Sequence, residues 1–439
     1  MSGNSSPGNG SIKILDIFIL GFAFFATYFG AGNLIFPPQL GLNSGSAVFA
    51  GLSGLSGIFL PIFTLVVIGL NGDVHAITDH VGKYTYNVLL AALMFVCTFV
   101  SIPRTCATAI QLGVQGNVPG APFIPLVIIY FIICFFFVKD KNNVMDRMGR
   151  YLTPLLALIL VVVSIMGIVH PLGTPIEPQV AKPFVNAFLG GYNTGDVLVS
   201  FIMAAVFISS IKGKGYTTIG QRNKVLLYCG IVAFVLLLII YGSLLYMGAC
   251  VSGDYPQSIG RAELLVAIIQ RVGTWVMVPM GIAVVLACLT TAIGQVAAVA
   301  EFTSTMTGKV SYKKVAIVCS ILSALTALLG VDGIVTYVGW IFGVCYPPCL
   351  ALLVLGVLVK VVPNDGAYKG SVYLVTIYAL IESLPGLSGL GFAKAIVAAK
   401  PLSTFGFGWI TPFIIGFVAG SLIYKATGHG KAAVRTVGE

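Results

Sequence analysis

Residues 29–38 read Phe29-Gly30-Ala31-Gly32-Asn33-Leu34-Ile35-Phe36-Pro37-Pro38, in the middle of a long stretch without charge. From residue 17 to residue 72 there is no Lys, Arg, Asp or Glu. Inside a helix a glycine costs about 1 kcal/mol relative to alanine, and a proline about 3 kcal/mol. Two glycines, an asparagine and two prolines so close together predict a membrane helix that is interrupted. Unwound backbone is tolerated in hydrocarbon only where protein buries it or where it lines a cavity. Such a break has a chemical use: its freed N–H groups suit a carboxylate, and its freed carbonyls suit a cation. Close helix packing on small residues would account for Gly30 and Gly32, but not for Asn33 and the prolines.

Composition sets the solvent. The chain has 439 residues, 58% hydrophobic and 9% charged, where a soluble domain carries about 25% charge. So little charge cannot cover a water-facing surface of this size. Residues 225–253, 272–300 and 333–359 are also uncharged, each long enough for a span of about 20 residues. No alternating ten-residue pattern of a membrane β-barrel is visible. The expectation is an all-α polytopic membrane protein. Its nine cysteines, single and mostly inside apolar runs, read as small packing residues rather than disulfides or a metal site.

Twelve spans are expected, near 14–42, 46–70, 86–112, 122–138, 150–170, 190–211, 223–250, 273–305, 314–330, 333–359, 370–386 and 405–425. Residues 1–13, rich in Gly, Ser and Asn, read as a disordered cytoplasmic tail, and 426–439 as a second one; no cleavable leader is expected. Of 24 Lys and Arg, eighteen fall on the side of the N-terminus and five on the other (Lys182, Arg261, Arg271, Lys394 and Lys400), while Arg104 lies inside a span. By the positive-inside rule both termini are cytoplasmic. The net charge of +10 thus orients the protein in a lipid bilayer and does not indicate a nucleic-acid partner.

Five spans then five more give units of opposite direction, 14–170 and 190–359, with 370–425 as two peripheral spans. Faint echoes support an inverted repeat: Asp16 opens span 1 and Asp196 opens span 6, and Thr-Ala-Ile occurs at Thr108–Ile110 and Thr291–Ile293.

Gly21–Gly45, GFAFFATYFGAGNLIFPPQLGLNSG, resembles the first-helix signature of the branched-chain amino acid:cation symporter family. Ser101-Ile-Pro-Arg-Thr105 in span 3 and Ala287-Cys-Leu-Thr-Thr-Ala-Ile-Gly294 in span 8 extend the likeness. The resemblance implies a LeuT-type five-plus-five inverted repeat in a bacterial cytoplasmic (inner) membrane. It implies import of leucine, isoleucine or valine with Na⁺ as the coupling ion, and no organic cofactor. By the same resemblance, the carbonyls of Ala26 and Phe29 and, from span 8, Ala287, Thr290 and Thr291 hold the Na⁺. The substrate carboxylate meets the N–H groups of Ala31 and Gly32, and Asn33 matches a side-chain ligand of a second ion. Hard oxygen donors suit Na⁺, and neutral hydroxyls bind it without burying a carboxylate. Adjacent threonines also commonly bond back to their own helix.

Span 6 is expected to break near Ser200–Val206, where Ala204 stands in place of the family's glycine. Phe201 and Met203 are candidates for the apolar pocket. One methylene is worth about 1–3 kcal/mol in such a pocket, so the three amino acids should be poorly told apart. Arg104 inside span 3 needs a partner, since an intramembrane Arg costs at least about 2.5 kcal/mol. With Asp196 it is a candidate outer gate or a structural ion pair.

Other classes are a proton-coupled or differently selective amino acid carrier, a channel, and a membrane enzyme. No nucleophile–His–acid set at membrane depth supports the last, and without a nucleotide-binding domain a gradient must drive transport.

Overall fold

A computed structural model describes residues 12–54, 59–139, 144–192, 194–384, 386–398 and 402–427; most of both expected tails lies outside the described residues. Helices occupy all twelve expected segments. Span 1 is α1 (Ile14–Tyr28) and α2 (Ala31–Ser44), and span 2 is α3 (Val48–Gly54) and α4 (Phe59–Leu70), followed by the short α5 (His75–Thr78). Span 3 comprises α6 (Thr85–Val96) and α7 (Ile102–Thr108), each followed by a π-helical turn. Spans 4 and 5 are α8 (Phe123–Val138) and α9 (Val144–Val169). Span 6 is α10 (Pro183–Tyr192) with α11 (Asp196–Gly213), span 7 is α12 (Ile219–Cys250), and the shorter α13 (Arg261–Val272) follows it. Spans 8 to 12 are α14 (Met277–Thr307), α15 (Tyr312–Ala327), α16 (Gly330–Val357), α17 (Asp365–Ser383) and, after a short α18 (Gly391–Ala398), α19 (Ile410–Ala426).

The surface is that of a protein dissolved in lipid. On α8, Ile124, Ile128, Ile132 and Phe136 are each more than half exposed and follow one another at four-residue steps. Val127, Tyr130, Phe131, Cys134 and Val138 line its buried face. An apolar stripe turned outward is stable only against hydrocarbon. All nine cysteines are free thiols, eight of them buried.

Two groups of spans pack as units: 1, 2, 6 and 7 on one another, and 3, 4, 8 and 9 on one another. Within the first, α2 meets α12 backbone to backbone. A Cβ at Gly41 would sit 1.9 Å from the Leu245 carbonyl oxygen, and one at Gly248 2.1 Å from that of Pro38. Span 11 begins at Asp365 rather than 370, because the Asn364 side chain caps the helix by accepting from the Ala367 N–H at 3.2 Å. It packs on span 12 through Gly366, Gly370, Gly416 and Gly420; a Cβ at Gly370 would sit 2.0 Å from the Gly416 oxygen.

Span 3 shows how the sequence irregularities around Arg104 are absorbed. The Ile102 N–H reaches back to Cys97 instead of Thr98, and Pro103 has no N–H to give Phe99. The two orphaned carbonyls find hydroxyls from spans 9 and 10: Ser323 donates to Thr98 at 2.8 Å and Tyr337 to Phe99 at 2.5 Å. Buried carbonyls need such partners, and here they tie span 3 to spans 9 and 10.

The echo between Asp16 and Asp196 is not structural. Asp16 opens the first half of span 1, whereas Asp196 opens the second half of span 6, which starts earlier than expected, at Pro183.

Candidate functional site

Span 1 breaks between Tyr28 and Ala31, and its halves meet at 70°. The hydrogen bonds show which atoms the break releases. The Gly30 N–H turns to the Tyr28 carbonyl at 3.0 Å, and the Asn33 N–H to Gly30 at 3.2 Å. In a continuous helix these two donors would serve Ala26 and Phe29. Beyond the break Gly30 is the N-cap of α2 and has no side chain with which to bond the first N–H groups. Ala31 and Gly32 thus open a half-helix at the positive end of its dipole.

Span 8 stands against this break. A Cβ at Gly30 would lie 3.5 Å from Thr291 Oγ1. The Thr290 and Thr291 hydroxyls both donate to the Ala287 carbonyl, at 2.8 and 3.0 Å. They therefore do bond back to their own helix. That bond uses each hydroxyl's proton and leaves its lone pairs, so the Thr291 oxygen beside the break keeps the hard donor character that suits a cation.

Span 6 bends by 49° between Ala204 and Phe207, inside the expected Ser200–Val206 stretch. It is also interrupted earlier, between Tyr192 and Asp196, where Gly195 has φ +86°. Thr194 bonds back to Gly191 and its hydroxyl accepts from the Asp196 N–H at 3.4 Å. The signal was present in Gly190-Gly191-Tyr192-Asn193-Thr194-Gly195, a cluster of turn-forming residues. Phe201 and Ala204 are buried and Met203 is partly buried, all on the regular part of α11.

The two breaks meet at a charged group from span 3. Arg104, 3% exposed, donates from Nη2 to the Thr194 carbonyl at 2.6 Å. A Cβ at Gly32 would lie 2.8 Å from that nitrogen, and one at Gly195 3.8 Å. Asn33 donates from Nδ2 to Asp196 Oδ2 at 2.6 Å, joining span 1 to span 6. Arg104 and Asp196 are thus level with the breaks. Farther out, the Phe36 ring lies between the Arg104 and Arg261 guanidiniums, at 5.7 and 5.6 Å, and Arg261 pairs with Asp332 at 3.0 Å.

One buried knot escaped sequence reading altogether. The Ser200 hydroxyl lies 3.0 Å from that of Tyr28, and both reach the Pro61 carbonyl, at 2.8 and 3.3 Å. It binds spans 1, 2 and 6 together.

The two sides of the site differ. All fourteen residues of α2 are buried, whereas only Leu20, Gly21, Phe24, Phe25 and Tyr28 of α1 are. The second half of span 1 is closed in by protein and the first half is looser. At the start of the first half Asp16 accepts from Lys214 Nζ at 3.1 Å and from the Tyr216 hydroxyl at 2.8 Å, and Tyr216 accepts from the Lys13 N–H at 3.1 Å. Surface ion pairs of this kind are worth about 1 kcal/mol or less. Asp16→Asn should therefore raise amide hydrogen exchange over residues 13–22 by no more than about five-fold, with little change in melting temperature. An unchanged exchange rate would show that the clasp holds nothing.

Two interrupted helices packed against one another in a bundle of apolar helices define the class: a polytopic membrane protein of the LeuT-type fold. Solved structures agree on the fold. A Na⁺-coupled sialic acid symporter aligns with a TM-score of 0.57 at 14% identity, covering 97% of this chain and 92% of that one. MhsT in complex with L-phenylalanine aligns at 0.55 and 17%, covering 91% and 98%. The family described as branched-chain amino acid transport protein matches residues 13–427, and this chain belongs to it. Among its relatives, the branched-chain amino acid permease BraB of Bacillus subtilis is 28% identical over 96% of this chain and 98% of its own. The branched-chain amino acid transport system 2 carrier protein of Pseudomonas aeruginosa is 27% identical over 96% and 99%. The family is one of transporters, not enzymes.

Proposed function

We propose that this protein imports leucine, isoleucine and valine together with a cation, Na⁺, by alternating access in the cytoplasmic membrane, with both termini inside. One observation supports the reading: the break in span 1 lies against Thr291 of span 8, whose hydroxyl oxygen would be 3.5 Å from a Cβ at Gly30. Ala26, Phe29, Ala287, Thr290 and Thr291 would supply five oxygens to the ion. Substrate would bind one turn away, at Ala31, Gly32 and Asn33, with Phe201, Met203 and Ala204 on the apolar side. The relatives named as branched-chain amino acid carriers support the substrate class.

Bound ion would hold α1 against α14, and its release toward the cytoplasm would let α1 swing free. Cation and amino acid then raise each other's affinity by the same factor, typically 5–150-fold. The test is uptake of labelled leucine by purified protein in liposomes, with Na⁺ and H⁺ gradients imposed separately. Na⁺ alone should drive accumulation, and Thr291→Ala should make leucine affinity indifferent to Na⁺. Accumulation driven by H⁺ alone would favour the second reading, proton coupling, for which the buried Asp196 is the carboxylate at hand.

A further inference from the structure

Beyond Thr291 the next turns of α14 carry a strip of small and polar residues. Thr291, Gly294, Gln295 and Ala298 follow one another at helical steps and share one face. Thr291, Gly294 and Ala298 are partly exposed, and a Cβ added at Gly294 would meet nothing within 4 Å. A glycine that served close packing would meet a neighbouring backbone, as Gly41 and Gly248 do. At Gly294 the strip borders open space instead. α14 touches α1, the looser half of span 1. It continues past the exposed Glu301 to Thr307, the cytoplasmic end in the orientation proposed above.

Gln295 is the buried member of this strip. The residue is 8% exposed, and its Oε1 is buried with no hydrogen-bond partner among the described residues. An unpaired buried amide oxygen is costly, and a leucine would fill the same place without that cost. The oxygen is a neutral hard donor of the kind that suits a small cation, and it lies one turn, about 6 Å, along the helix from Thr291. The atom left over is an acceptor, so it does not serve a substrate carboxylate, which needs donors.

We propose that Gln295 Oε1 is a second stopping point for the coupling cation, reached after the ion leaves Thr291 and before it enters the cytoplasm. The assignment rests on the cation-coupled import proposed above and deepens it. An ion that parts from five oxygens must find others on its way out. A neutral amide one turn on accepts the ion without trapping it, which is what passage requires: binding favourable enough to enter and weak enough to leave. The open side of Gly294 leaves room for the water that completes the ion's shell. Glu301, one turn beyond Ala298, adds a negative charge farther along.

Gln295→Leu separates release from binding. Purified protein in liposomes is assayed in two modes. Net leucine uptake down an inward Na⁺ gradient requires the ion to leave inside. Exchange of labelled for unlabelled leucine, with saturating Na⁺ on both sides, does not. Net uptake should fall by about ten-fold or more, the loss of one ligand to a charged group, while exchange and its leucine affinity stay within about two-fold of wild type. The melting temperature should not fall, since the substitution removes an unpaired buried polar group. Gln295→Glu should be inhibited by internal Na⁺ at lower concentration than the wild type, because an ionised oxygen holds the cation more strongly. Equal loss of net uptake and exchange would place Gln295 in substrate binding or in folding, and unchanged net uptake would leave it no part in transport; either result overturns the assignment. Should Gln295→Leu not fold, internal Na⁺ acting alike on the wild type and Gln295→Glu overturns it. Wild-type uptake indifferent to Na⁺ would instead overturn the proposed function.

Discussion

Gly32→Ala should lower leucine uptake by at least about ten-fold while the protein still folds. The added methyl would sit 2.8 Å from Arg104 Nη2 and 3.1 Å from the Thr194 Cα. The arginine tip can turn aside, but the Thr194 backbone belongs to the break of span 6 and cannot do so alone. The two breaks must therefore move apart by a few tenths of an ångström while the guanidinium is pushed off its place. Since a full displacement of about 1 Å at a positioned site costs on the order of 100-fold, the loss should reach at least about ten-fold. Helix propensity works in the opposite direction: alanine is a better helix former than glycine by about 1 kcal/mol, so α2 itself is not weakened. Uptake per folded molecule, alongside the melting temperature in detergent, separates the two effects. A variant with more than about a tenth of wild-type uptake would show that the breaks need not meet this closely.

The second large effect concerns stability. Gly248→Val should destabilise the protein by about 3 kcal/mol or more, at the upper end of what overpacking a core costs. The Gly248 Cα faces the Pro38 carbonyl, with 2.1 Å left for a Cβ, and Gly41 faces the Leu245 carbonyl in the same way. Main chain meets main chain at both points, so no side chain can yield. Pro38 adds to the constraint, since proline holds its own φ near −65°. Span 1 would be levered off span 7 along its second half, where α2 is wholly buried. Gly294→Ala is the control, because a Cβ there meets nothing within 4 Å. Equal melting temperatures for the Gly248 and Gly294 variants would rule out the close approach.

Much of the architecture was legible because lipid imposes simple rules. Long uncharged runs can only be helices, and the break at Gly30 follows from residues that cannot continue one. Span 6 was harder to read. Its first half carries Gly190 and Gly191, and a reader guided by resemblance finds the bend beyond Ala204 but misses the turn that Thr194 and Gly195 make. Asp196 was paired with Arg104 as a candidate gate or ion pair, but it was placed at the opening of span 6, which begins at Pro183. The pairing of Asn33 with Asp196 across 163 positions, and of Tyr28 with Ser200 across 172, carries no local pattern at all.

Composition and spacing alone determined that the chain is a helical membrane protein with a ruptured first span, since hydropathy and backbone bonding act within a single segment. Only the folded arrangement decided which carbonyls the rupture releases, that Thr291 stands beside it, and that Arg104 faces both breaks. Those are relations between segments far apart in the chain. They are set by close contact of glycine-bearing backbones, and shape complementarity of that kind leaves no periodic trace in the order of residues.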